Sequence, residues 1–224
     1  WKTVDTAGNS AFVGDATTGS TAISAGYDAN GRVLTVYDAA DRRYSYTYST
    51  LDSVKRLTQV KSEVKTGGTW ASPSGVSEVG RVDYDYYQAG GTTYGDVGNL
   101  KMVTITMPLS PSGINSVAKK YFRYWTGTFN ASTNPGHPNA LQYVVSYEGT
   151  RRFDWSDLTL NDSFLTASES SLKPYAETFF KYDSEHRVSE FWGNGQCGCS
   201  GAGNGTHSVS YPTTASLGDT SGYT

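Results

Sequence analysis

The sequence predicts an all-β fold: a repetitive antiparallel β-hairpin meander, or spiralling sheet, with a short helical insertion near residues 166–174. Three observations predict it. Aromatic residues, 17 Tyr, 8 Phe and 5 Trp, fall with β-branched residues between turn formers, as strands joined by tight turns require. Tyr44, Tyr46 and Tyr48 alternate strictly with Ser45, Thr47 and Ser49, the period-two pattern of a half-buried strand. The dipeptide Tyr-Asp recurs at Tyr27-Asp28, Tyr37-Asp38, Tyr84-Asp85 and Tyr182-Asp183, marking a unit used several times.

Residues 1–25 read as an N-terminal arm or weak strands. Val4, Phe12, Val13 and Ile23 are sparse apolar anchors between the turn-like runs 5–9 and 15–19. The sheet domain spans 26–211. Asn30-Gly31 predicts a type I′ hairpin turn, in which both central residues take positive φ. Strands are expected at 32–37, 43–48 and 56–65, with a turn at 38–41 and a longer turn at 51–55. Residues 67–80, holding Trp70 and Pro73, read as a loop. Strands follow at 81–88 and 99–108 around a glycine-rich turn, then at 117–125 and 141–147 around a polar loop with two prolines. The β rhythm breaks at 150–174. There Ser168-Glu169-Ser170-Ser171-Leu172 predicts one or two helical turns, N-capped by Thr166 or Ser168 and ended by Pro174. Strands resume at 175–182 and 187–192. After a glycine-dense loop at 193–206, residues 207–211 form a last strand. Residues 212–224 are a Ser/Thr/Gly-rich tail.

The net charge of −3 and pI near 5.6 leave no basic footprint for nucleic acid. No apolar run approaches the roughly 18 residues of a membrane span. The chain opens on Trp1 with no signal peptide, and reads as a mature or excised piece of a larger precursor.

Motifs for chemistry are sparse. Cys197-Gly198-Cys199 lacks the Cys-x2-Cys spacing and the further ligands of a zinc site. It reads as a loop pair, disulfide-bonded or free. His137, His186 and His207 assemble no triad with a nucleophile elbow. The carboxylates Asp28, Asp38, Asp85 and Asp183 follow Tyr at repeated positions, which capping of turn N–H groups explains without catalysis. Asn130, Asn161 and Asn204 each open an Asn-x-Ser/Thr acceptor sequence for N-glycosylation. No catalytic residue, metal or cofactor is expected.

The run Tyr27-Asp28-x-Asn30-Gly31-Arg32-Val33, followed by Tyr37-Asp38-Ala39-x-x-Arg42-Arg43-Tyr44-x-Tyr46-x-Tyr48 and then Arg56-Leu57-Thr58, resembles the repeats of the RHS/YD-repeat family. Tyr182-Asp183 to Arg187-Val188 matches the same unit, with His186 where the family usually has Gly. The Cys-Gly-Cys-Ser-Gly loop resembles turns of bacterial surface-type members. The resemblance covers roughly residues 26–66, 80–108 and 175–211. It implies hairpins wound into a long sheet, as a shell around a toxin cargo or as a surface scaffold. The sequence departs from the toxin type in having no Asp-Pro dipeptide.

The expected function is therefore a non-enzymatic structural or scaffold protein, secreted or at the cell surface. Exposed sheet edges would be a liability in a free monomer, so its partners are expected to be further copies in a filament or flanking repeats of a longer chain. Two alternatives stand beside it. One is a carbohydrate-binding surface module using aromatic platforms such as Trp125 or Trp192, with glycans as partners. The other is a shell segment of an RHS-type polymorphic toxin.

Overall fold

The computed structural model describes residues 2–4, 10–12, 25–38, 40, 42–70, 72–89, 93–108, 115–153, 162–194 and 204–211. Its thirteen described strands are mostly one antiparallel meander. A small hairpin joins β1 (Lys2–Val4) to β2 (Ser10–Phe12), and eleven strands, β3 to β13, follow one another in chain order in a second, open sheet. The described residues fall into two compact units. One comprises Trp1–Gln88 and Leu100–Lys120, the other Ala89–Asn99 and Tyr121–Thr224.

The first unit contains β3 (Ala25–Tyr27), β4 (Val33–Tyr37), β5 (Arg42–Leu51), β6 (Val54–Thr69), β7 (Ser72–Tyr86) and β8 (Leu100–Pro108). Its register sorts side chains onto two unlike faces, because paired residues of an antiparallel ladder point to the same side. Tyr46 pairs with Val60, Val60 with Val82, and Val82 with Ile105, which makes an apolar rung across four strands. Val36–Tyr44, Tyr48–Leu57 and Tyr84–Val103 lie on the same face. The alternate residues are polar. Thr47, Gln59, Asp83 and Thr104 form one rung, and Ser45, Lys61, Arg81 and Thr106 another. Lys61 and Arg81 are directly opposed like charges, which Glu78 bridges at 3.7 and 3.6 Å. Arg43 pairs with Glu63 at 2.9 Å on the same face.

Two connections here differ from the expectation. Residues 67–80 are not a loop: β6 and β7 run on to a tight tip at Trp70, and Trp70 packs against Tyr37 with Arg43 and Lys65 over its ring. Its ring and those two cations give the hairpin end an anchor that its Gly/Ser composition hides. The turn at 51–55 is also shorter than expected. Leu51 pairs with Val54, and the two central residues, Asp52 and Ser53, take φ +48° and +63°. The primed, two-residue turn expected of Asn30-Gly31 is thus found here instead.

In the second unit, β9 (Asn115–Tyr124) pairs through its last four residues with β10 (Leu141–Val145). The sheet continues with β11 (Thr178–Tyr182), β12 (Val188–Asn194) and β13 (Asn204–Ser208). This unit has a core: Trp125, Tyr143, Ala176, Phe179 and Trp192 are buried together. A helical insertion supplies further buried residues. It comprises α1 (Tyr147–Phe153), a 3-10 turn at Ser163–Leu165, α2 (Glu169–Leu172) and a 3-10 turn at Lys173–Tyr175; Phe164 and Leu172 are fully buried.

Ser168 is the N-cap of α2, its hydroxyl accepting from Ser171 N–H at 3.2 Å, whereas Thr166 ends the preceding 3-10 turn. As expected of Pro174, α2 ends at Leu172 and the chain continues as a 3-10 turn. The proline falls in the first turn of that segment, where a missing N–H is tolerated. Helix α1 lies where a strand is expected to end; Ser146 precedes it and its hydroxyl accepts from Gly149 N–H at 3.4 Å, with Glu148 in the first turn and Arg151 and Arg152 in the last.

Candidate functional site

The recurring element is a latch closed between Asp and the Arg four residues on. In Asp28–Arg32, Oδ1 accepts from the N–H groups of Asn30 and Arg32, both at 2.9 Å. Oδ2 accepts from Arg32 Nε at 2.8 Å, with Nη2 at 2.7 Å. Asp183–Arg187 repeats this with Glu185 N at 2.9 Å, Arg187 N at 3.0 Å, Nε at 2.8 Å and Nη2 at 2.7 Å. Asp38–Arg42 uses Ala40 N, Arg42 N and Arg42 Nε at 2.9, 3.0 and 3.0 Å, and adds the Tyr44 hydroxyl as a donor at 3.1 Å. In all three the Asp N–H donates to the carbonyl of its own Arg.

The preceding Tyr pairs across the ladder: Tyr27 with Val33, Tyr37 with Arg43, Tyr182 with Val188. The turn inside the latch runs from the Asp carbonyl to the N–H three residues later, Gly31 at 2.9 Å and His186 at 3.2 Å. Gly31 and His186 are left-handed at φ +76° and +66°. Asn30 is not, so Asn30-Gly31 does not form the expected type I′ turn. The loop has the form of a type I turn followed by one left-handed residue, and Asp28 decides this by capping both Asn30 and Arg32.

Asp85 is not a fourth latch. Tyr84 and Asp85 lie within β7, and Asp85 caps only Tyr86 N–H at 3.0 Å and faces Lys101 at 3.4 Å. The residue four positions on is Ala89, so the dipeptide lacks its arginine. Arg42, conversely, closes the second latch on Asp38, and Asp-x3-Arg spacing is the sequence signal that finds it.

The latches fix the protonation of their carboxylates. For Asp28 and Asp38 the largest effect is the hydrogen bond from the backbone of Arg32 or Arg42, and both pKa values are lowered. For Asp183 desolvation, the largest single effect, pushes upward, but the Arg187 N–H and guanidinium outweigh it and the pKa is again lowered. An acid held ionised by its own arginine is a poor proton donor near neutral pH.

The histidines form a different cluster. His137 stacks between Phe129 and His186, with ring centroids 4.6 and 3.5 Å away. Its Nε2 donates to the Asp183 carbonyl at 2.7 Å; a carbonyl only accepts, so Nε2 carries the proton. Pro135 O accepts from Tyr182 N–H at 2.9 Å. The proline loop 126–139 is thereby fastened to the third latch. Gly136 is required where this loop crosses Trp125, since a Cβ would collide with the indole ring. His207 stacks separately on Phe191.

Arg123 is fully buried and was not anticipated. Its guanidinium lies 3.6 Å from the Tyr94 ring centroid and donates to Phe164 O at 3.1 Å, Ala167 O at 2.7 Å and the Tyr121 hydroxyl at 3.1 Å. Nearby, Tyr143 OH donates to Glu169 Oε1 at 3.1 Å. Burial, aided by that carboxylate, pushes the Tyr143 phenol up. Together these bonds tie the helical insertion to β9 and β10.

Trp125 and Trp192, the expected sugar platforms, are 6% and 5% exposed. They pack in the core and present no ring face to a ligand. Asn130 is exposed at the head of an Asx turn, its Oδ1 accepting from Ser132 and Thr133 N–H, both at 3.0 Å. Asn204 begins β13. Asn161, Cys197 and Cys199 lie outside the described residues. Among the described residues no three His, Cys, Asp or Glu groups gather to hold a metal ion, and no helix is long and apolar enough to cross a membrane.

No protein-family model matches the chain, and no curated protein shows significant similarity to it.

Proposed function

We infer that the chain is a non-enzymatic structural protein of the cell surface or extracellular space, built of RHS/YD-type repeats, and that it extends its sheet by pairing strand edges with further copies or with flanking repeats. The observation that carries this reading is the edge of β13. Val209 N–H donates to Ser189 O on β12 at 2.9 Å, and Ser208 pairs with Glu190 without a bulge. By alternation the N–H and C=O groups of Thr206 and Ser208 point away from β12. No described strand pairs with that edge, which is a template for another chain. The three latches support the same reading, because each commits a repeated Tyr-Asp motif to closing a hairpin.

The test is light scattering and electron microscopy of the full chain against Ser208→Pro, which removes one outward donor without touching the bonds to β12. Growth of the wild type into larger assemblies, blocked in the variant, is expected. A discrete monomer at every concentration overturns the reading.

A further inference from the structure

The two units treat their apolar faces differently. In the second unit the helical insertion contributes its own buried residues to the core. In the first unit, among the described residues, only Tyr87 and Thr106 are buried, and neither fully. The rung Tyr46–Val60–Val82–Ile105 is left partly open, and its margins are more so: Leu34 is 39%, Ile105 38% and Met107 55% exposed. Stable domains place a second layer over such a face, and large open apolar patches on soluble chains mark interaction sites.

We propose that this face packs against the same face of a second copy of the chain. Three features select that occupant. The central rung of the face holds Tyr46, Val60, Val82 and Ile105, with Tyr44, Ser62 and Gly80 beside it; the ion pairs Arg43–Glu63, Lys61–Glu78 and Arg81–Asp83 lie on the opposite side, and Arg32 and Arg42 on this side are each closed in a latch with their own aspartate. Two copies therefore meet through uncharged central rungs, and the neutralised latches at the margin need no partner of complementary charge. The face belongs to a sheet on both molecules, and sheets pack face to face about 10 Å apart with their inner side chains interleaved. Its size also suits a pair. Strands β4 to β8 span about 24 Å across, and three rungs about 20 Å along, on the order of 500 Å2 in projection and more in accessible surface, near the roughly 800 Å2 per partner of a stable interface. This surface is separate from the β13 edge, so the two associations fail independently.

Sedimentation velocity on the full chain over a concentration series tests the proposal. A reversible dimer is expected. Ile105→Lys and Met107→Lys, at positions already open to solvent, are expected to weaken it at least about tenfold with an unchanged far-UV circular dichroism spectrum. Thr104→Lys on the polar face, and Ser208→Pro at the β13 edge, are expected to leave it intact. A dimer that survives both face variants, or that Thr104→Lys or Ser208→Pro abolishes, overturns the proposal; loss through Ser208→Pro alone leaves edge pairing standing. The wild type supplies a second readout without substitution. Met107 should oxidise more slowly in hydrogen peroxide as protein concentration rises. Protection independent of concentration in a monomer means that the chain's own segments cover the face, and overturns the proposal.

Discussion

Arg187 grips Asp183 through two nitrogens, Nε at 2.8 Å and Nη2 at 2.7 Å, while its own N–H and carbonyl bond the same aspartate. Side chain and backbone of one pair thus close the loop twice. Asp183→Ala removes the acceptor of every side-chain bond in the latch, whereas Asp183→Asn keeps an oxygen for Glu185 and Arg187 N–H. Thermal unfolding should rank them in that order, Ala below Asn. Asp85→Ala, which breaks one cap and one long ion pair, should fall least. A midpoint for Asp85→Ala as low as that of Asp183→Ala would contradict the distinction between latch and dipeptide.

Stability should fall at both ends of the pH scale. Asp28, Asp38 and Asp183 have lowered folded-state pKa values. Their contribution is complete above the unfolded carboxylate value of about 3.9 and is lost as pH drops through the folded values. Tyr48, Tyr86, Tyr124, Tyr143 and Tyr182 are raised, with desolvation the leading cause in each. The unfolded chain releases those phenolic protons first, so stability is lost as pH rises above about 10. Urea midpoints measured across pH should show a plateau between these limits. Tyrosine absorbance in the native state should titrate later than in urea.

The turn at Asp52 and Ser53 places two side chains in the left-handed region, each at a cost of about 1 kcal/mol. Both residues are exposed. Ser53→Gly should raise the unfolding free energy by about 0.5–1 kcal/mol, because glycine takes that φ without strain, less its greater freedom in the unfolded chain. Denaturant unfolding checks this, and a fall would mean that Ser53 makes a bond worth more than its strain.

Arg123→Met should destabilise by about 2–4 kcal/mol, since it strips the donor from two carbonyls and a phenol in a dry setting. Arg123→Lys should recover little, because an ammonium cannot lie flat on Tyr94 and reach both carbonyls. Hydrogen exchange gives the site-specific readout. Amides of residues 163–172 should lose protection before those of β4 to β7.

The strands were legible because their signal is local. Alternation in 44–49 and the apolar run of β8 each carry their own periodicity. The latches were half legible: Asp and the left-handed Gly31 were visible, but the arginine's double role needs the loop closed. Residues 67–80 were misread because Gly67, Gly68 and Gly75 signal turns, whereas here they sit where a Cβ would meet Ser74, Thr66 or strand backbone across the hairpin. Arg123 and the stack of His137 on His186 join residues 41 to 49 positions apart, and no short-range pattern encodes them. The Tyr-Asp at 84–85 misled for the opposite reason. It repeats the dipeptide inside a strand, with no arginine four residues on to close a loop.

Apart from the Tyr44 hydroxyl on Asp38, every bond that closes a latch is made within five consecutive residues. Such a turn closes through bonds of its own, so a gene segment that encodes one can be copied in tandem and each copy will bend the backbone at the same spot. Length then becomes a property that drift can change freely, one cassette at a time, while the geometry of each corner stays inherited.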